Sequence, residues 1–309
     1  IFFFLFFVSC KEDEQNKKNF IIILADDLGY SDLSSFGSEI NTPNIDLLAK
    51  DGIIMTNFHT SPSCAPSRAM LLSGNDNHIA GIGIQAYNSD NFGYEGKISD
   101  RVNIIPEILG RNGYNSFISG KWHIGGDPID RGFDNSFSLL PGAFTHYDNN
   151  KPIKAYPDSS FSDNGKKVLW PDGKYSSDFY TDKMIDFIQS NSKKPFFAYL
   201  SYTAPHWPLQ VDDFFSDKYK GYYDKGYYDI LEKRLLNNIE SGIIKNTNQF
   251  PDMEYLISDW RKLDSNEKKI ESRKMEVYAG MIENLDYNIG RLVKYLKSEN
   301  LYDNTIIFF

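Results

Sequence analysis

Short unbroken apolar runs recur along this chain, and between them the apolar positions fall at helical spacing. The run NFIIILADD at 19–27 has no alternation, the pattern of a parallel strand covered on both faces. TPNIDLLAKDG at 42–52 predicts a helix, with Thr42 as N-cap, Pro43 at the first helical position and Gly52 as the stop. IIMTNFH at 53–59 reads as a second strand, and APSRAMLLSG at 65–74 as a helix opened by Pro66. NIIPEILGRNG at 103–113 predicts a short helix, YNSFIS at 114–119 a third strand, and SSDFYTDKMIDFIQS at 176–190 another helix. PFFAYLSY at 195–202 is a fourth strand. From 272 to 298, Met275, Tyr278, Ile282, Leu285, Ile289, Leu292 and Leu296 form one stripe of a long helix, and the terminal NTIIFF is again a buried-strand pattern. Strand followed by helix, repeated, argues for an α/β sandwich around a mostly parallel sheet. Residues 140–175 and 210–270 lack clear periodicity and are expected to lie over that sheet as loops and short elements.

Composition narrows the partners more than the fold. The 309 residues are 41% hydrophobic and 15% aromatic, enough for a large core. Asp and Glu (42) outnumber Lys and Arg (33), a net charge of −9 that argues against nucleic-acid binding, which needs a basic stripe. An anionic substrate must then be held by a local cluster of cations. The apolar IFFFLFFVS at the start is too short for a bilayer core, which takes about 20 residues in a helix, and reads as the end of a signal h-region. Phe7-Val8-Ser9-Cys10 resembles the lipobox of bacterial lipoproteins, which implies a lipid anchor on Cys10 and a charged tether from Lys11 to Lys18. A plain cleaved signal peptide with an incidental cysteine is the other reading. Both export the protein, to the periplasm or to an outer-membrane anchor. The expected organisation is therefore a leader and tether over 1–18 and one catalytic domain over 19–309. Cys64, the second of two cysteines, is left without a disulfide partner in the chain.

Open α/β sheets bind ligands beyond the carboxyl ends of their strands. Reactive residue types collect there four times. Asp26-Asp27 follows the first strand and offers hard oxygens to Ca²⁺ or Mg²⁺, although such a pair also serves as a turn or cap. Cys64 sits at the mouth of the second predicted helix, where free amides favour a thiolate or oxyanion, with Arg68 one turn further in. A free cysteine is more commonly a small buried hydrophobe. Lys121 and His123 in GKWHIG are two apart and face the same way in extended chain, with Trp122 packed behind them; an exposed Lys and a surface His would read the same. His206 lies between Pro205 and Pro208, a stiffened loop that aims a side chain. His59, His78 and His146 have no comparable setting, with His78 a candidate for the pocket floor.

Cys64-Ala65-Pro66-Ser67-Arg68 matches the C-x-P-S-R signature of the type I sulfatases. ADDLGYSDLSSFG, NTPNIDLLAKDG, GKWHIG and TAPHWPLQ are similar, in the same order, to segments of the bacterial arylsulfatase branch. The resemblance covers about Asn19 to Phe309. It implies an alkaline-phosphatase-like sandwich that hydrolyses sulfate esters, with Cys64 converted to formylglycine by a maturating enzyme. It further implies Ca²⁺, or Mg²⁺, bound by Asp26, Asp27 and the modified residue 64. Arg68 would stabilise the hydrated aldehyde, Lys121 and His206 would hold sulfate oxygens, and His123 would handle the diol proton. In the family a further Asp-Asn metal pair, another lysine and a small C-terminal subdomain follow the strand at which this sequence stops, so residues 1–309 alone are expected to be inactive. The substrate is expected to be an aryl or alkyl sulfate or a sulfated polysaccharide. Two alternatives remain: a phosphoryl or phosphonyl ester hydrolase of the same architecture, and a non-catalytic carbohydrate-binding lipoprotein that keeps a free thiol at 64. Aromatic residues in LLPGAFTHYDNN and in the tandem KGYYDKGYYD are expected either to stack on rings of the substrate or to pack the core.

Overall fold

The computed structural model describes residues 17–147, 161–190, 194–245 and 259–309; Cys10, read as a lipid-anchor site, lies outside the described residues. Seven strands form one sheet: β1 (Asn19–Asp26), β2 (Asn115–Lys121), β3 (Asn135–Leu139), β4 (Phe161–Asp163), β5 (Lys166–Val168), β6 (Phe196–Pro205) and β7 (Thr305–Phe308). They are ordered 5-4-3-2-6-1-7, parallel from β3 to β7, with β4 and β5 added antiparallel at one edge. The helices are α1 (Pro43–Asp51), α2 (Cys64–Ser73), α3 (Ile105–Gly110), α4 (Ser176–Ser190), α5 (Asp213–Ser216), α6 (Tyr227–Glu240) and α7 (Ser265–Ser298).

The unbroken apolar strands are explained by helices on both faces of the sheet. Ile21 and Ile23 of β1 pack with Tyr180 and Met184 of α4 and with Leu285 and Ile289 of α7. Phe20, Ile22 and Leu24, pointing the other way, join Ala65, Ala69 and Leu72 of α2. β6 is central and buried at every position. Such a layered core brings the carboxyl ends of β1, β2 and β6 to one rim. At that rim Gly120 is obligatory: its φ is +116°, and a Cβ there would sit 1.8 Å from the Ser201 carbonyl oxygen.

One local expectation fails and two are met in part. Residues 53–59 form no strand; Ile53 is 87% exposed, because β7 takes the place beside β1 and the segment finds no strand partner among the described residues. Thr42 is the N-cap residue of α1, as expected, but its side chain makes no capping bond. Asp286 of α7 caps the helix instead, accepting from the amides of Asn44 (2.9 Å) and Ile45 (2.8 Å), while the Thr42 hydroxyl turns to Ser34 and Asp46. The stretches read as loops and short elements do contain short ones, but β4 and β5 extend the sheet rather than lie over it, and α6 runs for 14 residues. β4 and β5 are joined by Asn164-Gly165, both at positive φ, the two-residue turn that favours a hairpin. No helix among the described residues is long and apolar enough to cross a membrane.

Candidate active site

The end of β1 places Asp26 opposite Pro205 of β6, one residue before His206. Asp26 is buried and meets two cations, with Lys121 Nζ 2.5 Å from Oδ2 and Arg68 Nη2 3.3 Å from Oδ1. Burial alone would raise its pKa, but the Arg68 and Lys121 charges outweigh that and hold the carboxyl below its ordinary value. Asp27, at φ +61°, turns out of the strand; its carboxylate is 58% exposed and lies 3.5 Å from His206 Nε2. The His206 Nδ1 is oriented by the Trp207 carbonyl at 2.6 Å.

Cys64 is the first residue of α2, so its own amide and that of Ala65 point out of the helix start, while Pro66 has none and the Ser67 amide bonds the Ser63 carbonyl. One turn on, the fully buried Arg68 reaches across to β2 and β6. Its Nη1 donates to the Lys121 carbonyl (2.9 Å) and to the hydroxyls of Tyr199 (3.3 Å) and Ser201. Burial opposes its charge, yet Tyr199, Asp26 and Cys64 together raise its pKa. Its Nε has no hydrogen-bond partner among the described residues, a buried donor still free to take an anion's oxygen.

His123 brings its Nδ1 to 3.4 Å from the Cys64 sulfur, from a backbone at φ +60°. Burial, and then the charges of Lys121 and Arg68, lower its pKa to about 3. The imidazole is therefore neutral near pH 7 and able to accept a proton when an anion offsets those cations. All seven residues singled out from the sequence, Asp26, Asp27, Cys64, Arg68, Lys121, His123 and His206, thus share one rim of the sheet.

Asp26 and Asp27 supply hard carboxylate oxygens, the chemistry of a Ca²⁺ or Mg²⁺ shell, and Asp27 leaves its own largely open. The trio Asp26, Asp27 and Cys64 is nevertheless not assembled as a cage. Among the described residues no group of three or more His, Cys, Asp or Glu is gathered to hold an ion, and Asp26 is turned to Lys121 and Arg68. These residues fit part of a hard-cation shell, since Ca²⁺ takes 6–8 oxygens.

Two residues at the site carried no sequence signal. Gln85 Oε1 accepts from Ser63 Oγ (2.6 Å) and lies 3.0 Å from the Cys64 sulfur. His146, earlier set aside, is 1% exposed and braces the His206 loop: its Nε2 is 2.8 Å from the His206 carbonyl and its Nδ1 2.7 Å from Ser176 Oγ. His78, by contrast, does not line the cavity beside His123; it bonds Asp76 and packs on Tyr94. Nor do the KGYYD tyrosines line it, since Tyr223 is buried against Glu39 and Tyr222 lies under Lys233.

Burial lowers the His146 pKa from 6.5 to about 4, so in that window the unfolded chain binds a proton that the folded one does not. The stability present above pH 6.5 is lost progressively as pH falls to about 4, by about 3 kcal/mol. His146→Gln keeps a donor for the His206 carbonyl without titrating. Denaturant unfolding between pH 4 and 7 should show a gap between wild type and variant that changes by about this amount; a constant gap would refute the assignment.

Residues 18–309 match the family model described as Sulfatase. The chain is 43% identical over 320 residues to an uncharacterized sulfatase of Schizosaccharomyces pombe, covering 97% of this chain and 58% of that protein. It is 38% identical over 307 residues to the arylsulfatase of Klebsiella aerogenes, covering 96% of this chain and 66% of that one. The crystal structure of Ps i-CgsB in complex with k-i-k-neocarrahexaose superposes with a TM-score of 0.68 at 29% identity, covering 94% of this chain and 57% of the other. The chain thus spans roughly three fifths of the length of these relatives. With the match running through nearly every described residue and the signature cysteine seated at the rim of the sheet, the chain belongs to the sulfatase family.

Proposed function

We propose that this chain carries the nucleophile-bearing part of a sulfate-ester hydrolase, with residue 64 as the attacking group. The observation that carries the reading is the setting of Cys64, at a helix start, 3.4 Å from a neutral His123 and beside the buried cation Arg68. A sulfate monoester spreads one negative charge over three oxygens, so cations and an acceptor for a proton must surround the reacting atom. Lys121, Arg68 and His206 would bind and orient those oxygens, and the free Arg68 Nε is one donor for them.

In this reading Cys64 is converted to formylglycine by a maturating enzyme. As its hydrate, that aldehyde supplies one hydroxyl whose oxygen attacks sulfur as the ester S–O bond breaks and the alcohol leaves with a proton, and a second whose deprotonation breaks the C–O bond, restores the aldehyde and releases sulfate. His123 is placed to take that proton, and its affinity for it rises as the bound anion offsets Lys121 and Arg68. Asp26 and Asp27 would hold a hard divalent cation, Ca²⁺ or Mg²⁺, which would polarise a sulfate oxygen. The substrate side spans aryl and alkyl sulfates and sulfated carbohydrates. Export and a lipid anchor at Cys10 would set such an enzyme on polymers outside the cell.

Side-by-side turnover of 4-nitrophenyl sulfate and 4-nitrophenyl phosphate by the full-length protein tests this. Sulfate should be preferred, and intact mass should report an aldehyde at residue 64. Preference for phosphate would favour the phosphoryl or phosphonyl hydrolase; a persistent thiol without turnover would favour the carbohydrate-binding lipoprotein.

A further inference from the structure

Beside Cys64 and His123 opens a cavity of about 350 Å³ that none of the residues above explains. Its walls include Ile82, Ile84, Tyr87, Leu140 and Pro141, and no Asp, Glu, Lys or Arg is among its lining residues. His123 and Ala65, the residue after Cys64, lie at its edge, so the space begins where the reacting atom sits. The charged groups lie at the sulfate end; the side chains of this neighbouring space are mostly apolar.

The cavity is built rather than accidental. Ala86 holds φ +56°, a left-handed conformation that a non-glycine residue seldom keeps without tertiary support. On one side of that turn Gln85 contacts the Cys64 sulfur; on the other Tyr87 lines the cavity. The Tyr87 ring is 52% exposed yet held edge-on by Tyr94 at 6.2 Å, and Tyr94 is in turn packed on His78 at 5.3 Å. Gly96, at φ +67°, completes the wall, and a Cβ there would stand 2.5 Å from Asn88 Cβ. One turn therefore supplies both a contact to the nucleophile and an aromatic face beside it.

We propose that this cavity seats the leaving group of the ester and selects a flat apolar ring over a hydroxyl-rich sugar, with Tyr87 as the specificity-determining residue. The inference rests on the sulfate-ester reading and deepens it. A phenyl ring would lie against Tyr87, Ile84 and Leu140 without needing a polar partner. A pyranose would bring several hydroxyls to a wall whose polar side chains are Tyr87, Asn88 and His123, and would gain less from the Tyr87, Ile84 and Leu140 faces than a flat ring does.

The test uses the full-length protein and two readouts. First, kcat/KM is measured for 4-nitrophenyl sulfate and for glucose 6-sulfate. Tyr87→Ala should lower the aryl-to-hexose ratio roughly 10- to 100-fold, through KM, and Tyr87→Phe should retain it. An unchanged ratio would overturn the proposal. Second, saturation-transfer NMR follows 4-nitrophenol alone, which should bind wild type and be lost in Tyr87→Ala. Failure of the phenol to bind wild type would overturn the cavity assignment. Binding that depends on Tyr87, without turnover of either ester by wild type, would support the cavity and sink the sulfate-ester reading. Because Tyr87 is half-exposed, unchanged thermal unfolding of both variants separates loss of the cavity from loss of the fold.

Discussion

Cys64→Ala is expected to lower sulfate-ester turnover by the full-length protein by on the order of 10⁴-fold or more, with little change in stability. The argument has two halves. Neither group hydrogen-bonded to the sulfur among the described residues can replace it: Gln85 presents an amide oxygen and His123 a neutral imidazole suited to proton transfer. The substitution removes one sulfur from a half-buried position at the start of α2, and alanine is the best helix former, so the fold should be indifferent. Lys121, Arg68 and His206 remain, so inorganic sulfate should still bind within a few-fold of its wild-type Kd. Kinetics and calorimetric sulfate titration check both halves. Turnover within tenfold of wild type would remove Cys64 from the chemistry; simultaneous loss of sulfate binding would show that the variant had disturbed the cation cluster instead.

The site was legible in the sequence because a parallel sheet converts positions far apart in the chain into neighbours. Once β1, β2 and β6 are recognised as unbroken apolar runs, Asp26, Lys121 and His206 must emerge at their carboxyl ends, and the helix-start pattern brings Cys64 and Arg68 to the same rim. What escaped had no such regularity. β3 is Asn-Ser-Phe-Ser-Leu, whose buried serines hide the apolar period, and β4 and β5 are three residues each. Asn164-Gly165 has a hairpin-turn sequence, but the strands it joins are too short to show a period of their own. Residues 53–59 have a strand's composition, but composition does not supply a partner edge. Gln85 and His146 owe their roles to tertiary placement alone, through a left-handed turn at Ala86 and through the close approach of the 146 and 206 loops.

Lys121→Met should be the most damaging single change to the fold at this rim, and it separates structural from chemical work. Lys121 is fully buried and its ammonium lies 2.5 Å from Asp26, whose other oxygen meets Arg68. Removing one partner of a buried pair leaves the other charge poorly compensated, a loss of about 3–5 kcal/mol. The direction of the pH effect follows from Asp26. In wild type its pKa is held below 3.8 by Arg68 and Lys121 against burial, so its contribution is present above that value and lost as pH falls through the lower folded-state value. Without Lys121 the folded-state pKa rises, Asp26 takes up a proton at milder acidity, and the gap from wild type should narrow as pH falls. The Lys121 carbonyl still receives Arg68 and Ser201 whatever the side chain, so the β2 backbone should hold. Adding Asp26→Asn takes the carboxylate from the fully buried Arg68 and leaves that cation without an anionic partner, so the double variant should recover none of the lost stability. It should recover no activity either, because under the proposed function it lacks both a cation for the sulfate and a carboxylate for the metal. Denaturant unfolding and kinetics on wild type, Lys121→Met, Asp26→Asn and the double variant complete the cycle. A double variant that regained turnover along with stability would show that Lys121 serves only to neutralise Asp26, and would take it out of substrate binding.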